Sequence, residues 1–190
     1  MTVEEYFRFD EQSDMRHEYV RGEVYAMTGG TVRHGTISMN IGTRLDSAAG
    51  DGPCRVFLGN LRVQVHRDIY YYPDVAVVCT PLDELDIVAH DPCVVVEVTS
   101  PGTARVDRSE KLEAYRQVDT LLAYLIVDHR RRRIERHWRE APGGVWQRTE
   151  IVAAGDVIIP CLDVELSLDE VYRRVELPAV GEPEPVEYEI

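Results

Sequence analysis

Three side chains set the chemical question in this sequence. Asp74 follows Pro73 at the head of the apolar run "DVAVVC", Glu97 lies inside "CVVVEVTS", and Lys111 lies within "RVDRSEKLEAYRQV". Burying one carboxylate among valines costs roughly 3 kcal/mol or more unless a cation or a hydrogen-bond donor meets it. Two carboxylates carried by neighbouring strands, with an ammonium beside them, offer what a hard divalent cation requires: converging oxygens, a backbone carbonyl, and room for water and phosphate. Each residue also has a plainer use. A strand-end aspartate is commonly a turn residue, a glutamate between valines marks an edge strand or pairs with arginine, and a lysine in a first helical turn is solvated. Convergence is what would give them a chemistry.

The elements that must position them are legible from periodicity and punctuation. Thr2 and Glu5 form a capping-box pattern ahead of a short helix over residues 2 to 10. "HEYVRGEVYAMTGG" reads as a hairpin or a bulged strand, with Arg21-Gly22 midway and Gly29-Gly30 as its end. Ile37, Ile41 and Leu45 recur at i, i+4, i+8, predicting a helix from about Val32 to Ala49 that Gly50 closes. "CRVFLGNLRVQV", "DVAVVC", "CVVVEVTS" and "LLAYLIVD" read as strands, the last two fully buried. Between them a helix carries Lys111, with Asp107 and Glu110 as a D-x-x-E cap and Leu112, Tyr115 and Val118 as its apolar stripe. Tyr115, one turn beyond Lys111, shares its face and is assigned to core packing. An Arg-rich turn then opens an antiparallel meander, and a short strand with a helix from about Leu168 ends the fold. The order predicts one mixed α/β domain with a central sheet over residues 1–177, followed by an acidic, Pro-rich tail over 178–190.

Bulk properties exclude several classes. The 190-residue chain carries a net charge of −13, which argues against holding DNA by bulk electrostatics, since phosphate affinity comes from Lys and Arg. The exception is "HRRRRIERHWR", whose arginines Arg130 to Arg139 are the candidate DNA contact. The opening residues lack the basic start and apolar stretch of a signal peptide, and the longest apolar run, Leu121 to Val127, is too short to span a bilayer, so a cytoplasmic protein without membrane contact is expected. The cysteines at 54, 79, 93 and 161 show no CxxC spacing; they are expected to be reduced, buried small hydrophobes, with no zinc site.

The ordered series "EYVRGEVYAMTGG", "RHGTISMNIGTRL", "YPDVAVV", "VVVEVTSPGT", "DRSEKLEAYRQ" and "AYLIVD", over roughly residues 16 to 138, resembles the Uma-type (Uma-two) family of restriction endonucleases within the PD-(D/E)XK nuclease superfamily. The resemblance implies a restriction-endonuclease-like mixed sheet flanked by helices, and a metal-dependent endonuclease that hydrolyses DNA phosphodiester bonds with Mg²⁺ or Mn²⁺. Carried over by position, Asp74 and Glu97 would be metal ligands with the Val98 carbonyl as a third. Glu23 would support a metal from the N-terminal motif, and His34 would stand as a polar group at the site. The superfamily lysine expected two residues after Glu97 is replaced by Thr99, and the resemblance assigns its role to Lys111. Cutting two strands needs two sites, hence a homodimer. The competing expectation is a nuclease fold kept as a non-catalytic DNA- or protein-binding module.

Overall fold

The computed structural model describes residues 1–27, 29–99 and 104–177; the expected acidic tail lies outside the described residues. Helix α1 (Val3–Glu11) starts on the Thr2–Glu5 capping box. Strands β1 (His17–Val20) and β2 (Glu23–Ala26) form a hairpin whose turn is Arg21-Gly22, both at positive φ. Helix α2 (Val32–Ala49) covers the span that its apolar stripe predicts and buries Ile37, Ile41 and Leu45. Strands β3 (Arg55–Phe57), β4 (Arg62–His66), β5 (Ile69–Tyr71), β6 (Val75–Val78), β7 (Val88–Ala89) and β8 (Pro92–Thr99) follow.

After β8 come the short α3 (Ala104–Val106), a π-helical turn (Asp107–Lys111) and α4 (Leu112–Tyr115). Then β9 (Ala123–Asp128), β10 (Arg133–Trp138) and β11 (Gln147–Val152) make the meander, and β12 (Asp156–Ile159), β13 (Val164–Ser167) and α5 (Leu168–Val171) close the fold.

A mixed six-stranded sheet, β11-β10-β9-β8-β6-β3, is the centre, and a second sheet, β2-β1-β5-β4-β7, packs beside it. Alternation along β6 and β8 sends side chains to two different cores. Val75, Val77, Val94 and Val96 join Ile37, Ile41 and Leu45 of α2. Ala76, Val78 and Val95 join Val63 and Tyr71 of the second sheet with Tyr115 of α4. Glu97 has the parity of Val95, so it points into the layer that holds the second sheet and α4. Strand β6 pairs antiparallel with β8 through Val75↔Val96, and one further residue along that register places Asp74 across from Glu97. No helix among the described residues is long and apolar enough to cross a membrane.

Two expectations about side chains change here. The cysteines are paired: Cys54 with Cys79, and Cys93 with Cys161, at sequence separations of 25 and 68. Neither pair has a local signature: β3–β6 pairing brings Cys54 to Cys79, and packing in the core under the central sheet brings Cys161, after β12, to Cys93 on β8. The arginine run is also largely occupied. Arg139 donates to the carbonyls of Val118, Asp119 and Leu121, Arg133 pairs with Glu150, Arg132 with Asp169, and the buried Arg136 stacks on Trp138.

Glu135, in the middle of β10, anchors the segment that carries Lys111. It accepts from Arg108 of the π-turn, from Arg148 of β11 and from His137. Burial opposes its charge, but these partners outweigh burial and pull its pKa down to about 2. Its stabilisation is therefore full above the unfolded glutamate value, about 4.3, and is lost as pH falls toward 2. Glu135→Gln is expected to cost about 2 kcal/mol in denaturant titrations at pH 7. The difference from wild type should shrink as pH falls from 5 toward 3; a constant gap across that window would refute the assignment.

Candidate active site

The cleft between the two sheets, about 200 Å³, is lined by Glu18, His34, Asp74, Glu97, Asp107 and Lys111, among others. Asp74 sits just before β6, where the strand's pairing with β8 ends. Its Oδ2 accepts from the Val98 amide at 2.7 Å and lies 3.1 Å from His34 Nε2. In a strand the amide and carbonyl of one residue leave by the same edge. The Val98 carbonyl is therefore turned to the Asp74 side as well.

Glu97 is 6% exposed, and its Oε1 accepts from Lys111 Nζ at 3.1 Å and from the Tyr115 hydroxyl at 3.2 Å. Tyr115 thus has a polar duty besides core packing. Among the described residues, neither Asp74 Oδ1 nor Glu97 Oε2 has a hydrogen-bond partner. Each carboxylate keeps one oxygen for something else in the cleft.

Lys111 is the hub. Its Nζ also donates to Glu18 Oε1 at 2.8 Å, stands 3.9 Å from Asp107 Oδ1, and lies 5.0 Å from the Tyr71 ring centroid. Burial disfavours the ammonium, yet Glu97, Glu18 and Asp107 together outweigh that cost and push its pKa well up, so it is charged. Glu97 is driven the other way for its own ionisation: burial raises its pKa well above the usual range, and Asp74, Asp107 and Glu18 add to the rise against the opposing Lys111. Glu97, Glu18 and Asp107 share one lysine and Asp74 lines the same cleft, a donor set of hard oxygens with more acid groups than cations, and this fits a divalent cation.

His34 lies in the first turn of α2, whose N-cap Thr31 accepts from the His34 amide. Its ring reaches over Gly30, where a Cβ would fall 2.7 Å from Nδ1, so glycine is what permits the approach. Burial lowers its pKa, but Asp74 and the Val98 backbone outweigh this and raise it.

The structure brings together Asp74, Glu97, Val98, Lys111 and His34, and it leaves Glu23 out. Glu23 is exposed next to the hairpin turn, opposite Val20, whereas the position opposite cleft-lining Tyr25 belongs to Glu18. The two glutamates share a face of the hairpin, and only Glu18 is far enough from the turn to reach Lys111. The signal was available in the alternation of "HEYVRGEVYAM", but choosing between Glu18 and Glu23 needs the hairpin register. Asp107 is also corrected: it is no N-cap. It is 2% exposed within the π-turn, which turns it inward toward Lys111.

Residues 3–172 match the Uma2 family, described as "Putative restriction endonuclease". The chain belongs to the Uma2 family. Two proteins of Synechocystis sp. are similar along most of their length. Protein slr1290 is 31% identical over 176 residues, 91% of this chain and 92% of its own. Protein sll1609 is 27% identical over 156 residues, 80% of this chain and 88% of its own. Among solved structures, a "putative nuclease belonging to DUF820" from Anabaena variabilis has the same fold, with a TM-score of 0.75 at 16% identity, covering 93% of this chain and 99% of that one. Within this Uma2-family nuclease fold, the Asp74–Glu97–Lys111 cleft lies where the central sheet opens beyond the end of the β6–β8 ladder.

Proposed function

We propose that this Uma2-family protein is a metal-dependent endonuclease that hydrolyses DNA phosphodiester bonds. The observation that carries the reading is the pairing of Asp74 and Glu97 across one register step, each with an uncommitted oxygen, beside a charged Lys111. Asp74, Glu97 and the Val98 carbonyl would hold Mg²⁺ or Mn²⁺. Such an ion, when bound, supplies Lewis acidity to a phosphate oxygen and lowers the pKa of water.

The chain's own residues do the rest. Glu97 and Glu18 fix the Lys111 ammonium from two sides, so it meets an incoming phosphate with no reorganisation and stabilises charge that develops there. Tyr115 holds the Glu97 carboxylate in orientation. His34, kept toward its protonated form by Asp74, offers a second donor at the same cleft.

Four acids at the cleft repel a polyanion, and Arg132, Arg133, Arg136 and Arg139 already have partners within the chain. Binding of DNA should therefore depend on the divalent ion. With plasmid and short duplexes, Mg²⁺ or Mn²⁺ is expected to produce both binding and cleavage, and EDTA to abolish both. Equal DNA binding with chelator and with Mg²⁺ would refute the metal-dependent reading. A wild-type protein inert toward duplex, single-stranded and branched DNA would turn the assignment to a binding module. Cutting both strands would engage two copies of the chain, which sedimentation on a cleaved duplex would report.

A further inference from the structure

The four cysteines do not merely pair; they gather at one place. Cys54 precedes β3, Cys79 follows β6, Cys93 lies on β8, and Cys161 follows β12. The Sγ atoms of Cys79, Cys93 and Cys161 all lie within 4.8 Å of one another although they belong to two different disulfides, and Cys54 Sγ is bonded to Cys79 Sγ. Cys93 is buried, and the other three are half-buried against the same core cluster.

We propose that these four sulfurs form a structural zinc site when reduced. A tetrathiolate zinc centre has Zn–S bonds of about 2.3 Å, which in a tetrahedron puts the sulfurs about 3.8 Å apart. The sulfurs of Cys79, Cys93 and Cys161 already lie within about 1 Å of that spacing across the two pairs, and Cys54, bonded to Cys79 but outside that group of three, swings in as the fourth ligand once its disulfide is reduced. Four thiolates with no histidine or carboxylate among the donors select zinc over the hard ion proposed for Asp74 and Glu97.

The two centres lie at opposite ends of one strand. Asp74 precedes β6 and Cys79 follows it, a separation of about 17 Å along an extended chain. The cysteine centre is therefore remote from the cleft. It ties β3, β6 and β8 of the central sheet to the β12–β13 hairpin.

The chemistry balances. Two dithiol molecules reduce the two disulfides, each dithiol giving up two electrons and two protons and ending as a disulfide itself. The four protein thiols then bind one Zn²⁺ with loss of four protons to solvent. In an oxidising compartment the paired form persists; in a reducing one the metal form is favoured.

The test uses the full chain, reduced with a dithiol, freed of reductant without oxygen, and titrated with Co²⁺ and then Zn²⁺. The expected result is a thiolate-to-cobalt charge-transfer band that saturates at about one equivalent per chain, with tetrahedral ligand-field bands, and is erased by about one equivalent of Zn²⁺. Cys161→Ser should weaken and shift those bands, while Asp74→Asn should leave them unchanged. The proposal is overturned if the reduced protein has four reactive thiols and no such band, if the disulfides survive the dithiol in the native protein, or if Cys161→Ser leaves the spectrum as in wild type.

Discussion

Asp74→Asn is expected to lower Mg²⁺-dependent DNA cleavage by on the order of a thousandfold while the protein stays folded. The substitution keeps the size of the side chain and an oxygen that accepts from the Val98 amide, now 2.7 Å from Oδ2. It removes a negative charge and one of the oxygens proposed to hold the ion. His34 loses the partner that raises its pKa, so the second donor of the cleft weakens as well. The check is single-turnover cleavage of a labelled duplex at saturating metal, with melting temperature measured alongside. Full activity in the variant would remove Asp74 from the site and point to a contaminating nuclease.

Lys111→Met has two expected effects, on stability and on catalysis. Glu97 and Glu18 both lean on the ammonium, and Asp107 lies 3.9 Å from it. Removing one partner of such a buried arrangement typically costs about 3–5 kcal/mol, because the remaining charges are left uncompensated. Guanidinium unfolding in EDTA should show that loss. Mg²⁺ or Mn²⁺ should recover part of it by supplying positive charge to the same carboxylates, and should stabilise the variant more than wild type. Cleavage should nonetheless stay at least a hundredfold down at saturating metal, because the ion replaces the charge but not the donor. A variant that is unstable yet cleaves at the wild-type rate once metal is added would make Lys111 a structural lysine only.

Local signals carried much of the architecture. The Thr2–Glu5 capping box and the Ile37–Ile41–Leu45 stripe lead directly to α1 and α2. The valine-rich runs lead to β6 and β8, whose composition has no other stable use. The helix with Lys111 was legible as an element but not in its geometry. After the short α3 it passes through a π-helical turn over Asp107–Lys111, and there Asp107 is a buried acid beside the lysine rather than the expected cap.

Likewise the arginine run is conspicuous as charge. Its fate is decided by carbonyls and carboxylates far along the chain, such as Val118 and Glu150.

The sequence by itself determined which residues had chemistry to offer and which runs were strands or helices, because capping, periodicity and β-branched composition act over a few residues. It also carried the ordered motifs that the Uma2 match reflects. Tertiary structure decided the rest. It set the register step that puts Asp74 opposite Glu97, the choice of Glu18 over Glu23, and the meeting of Cys79, Cys93 and Cys161, with Cys54 bonded to the first. Each of these depends on pairing between segments distant in the chain, where a shift of one or two residues moves a side chain to the other face or out of reach. No local pattern encodes that alignment; it follows from packing both faces of the central sheet at once.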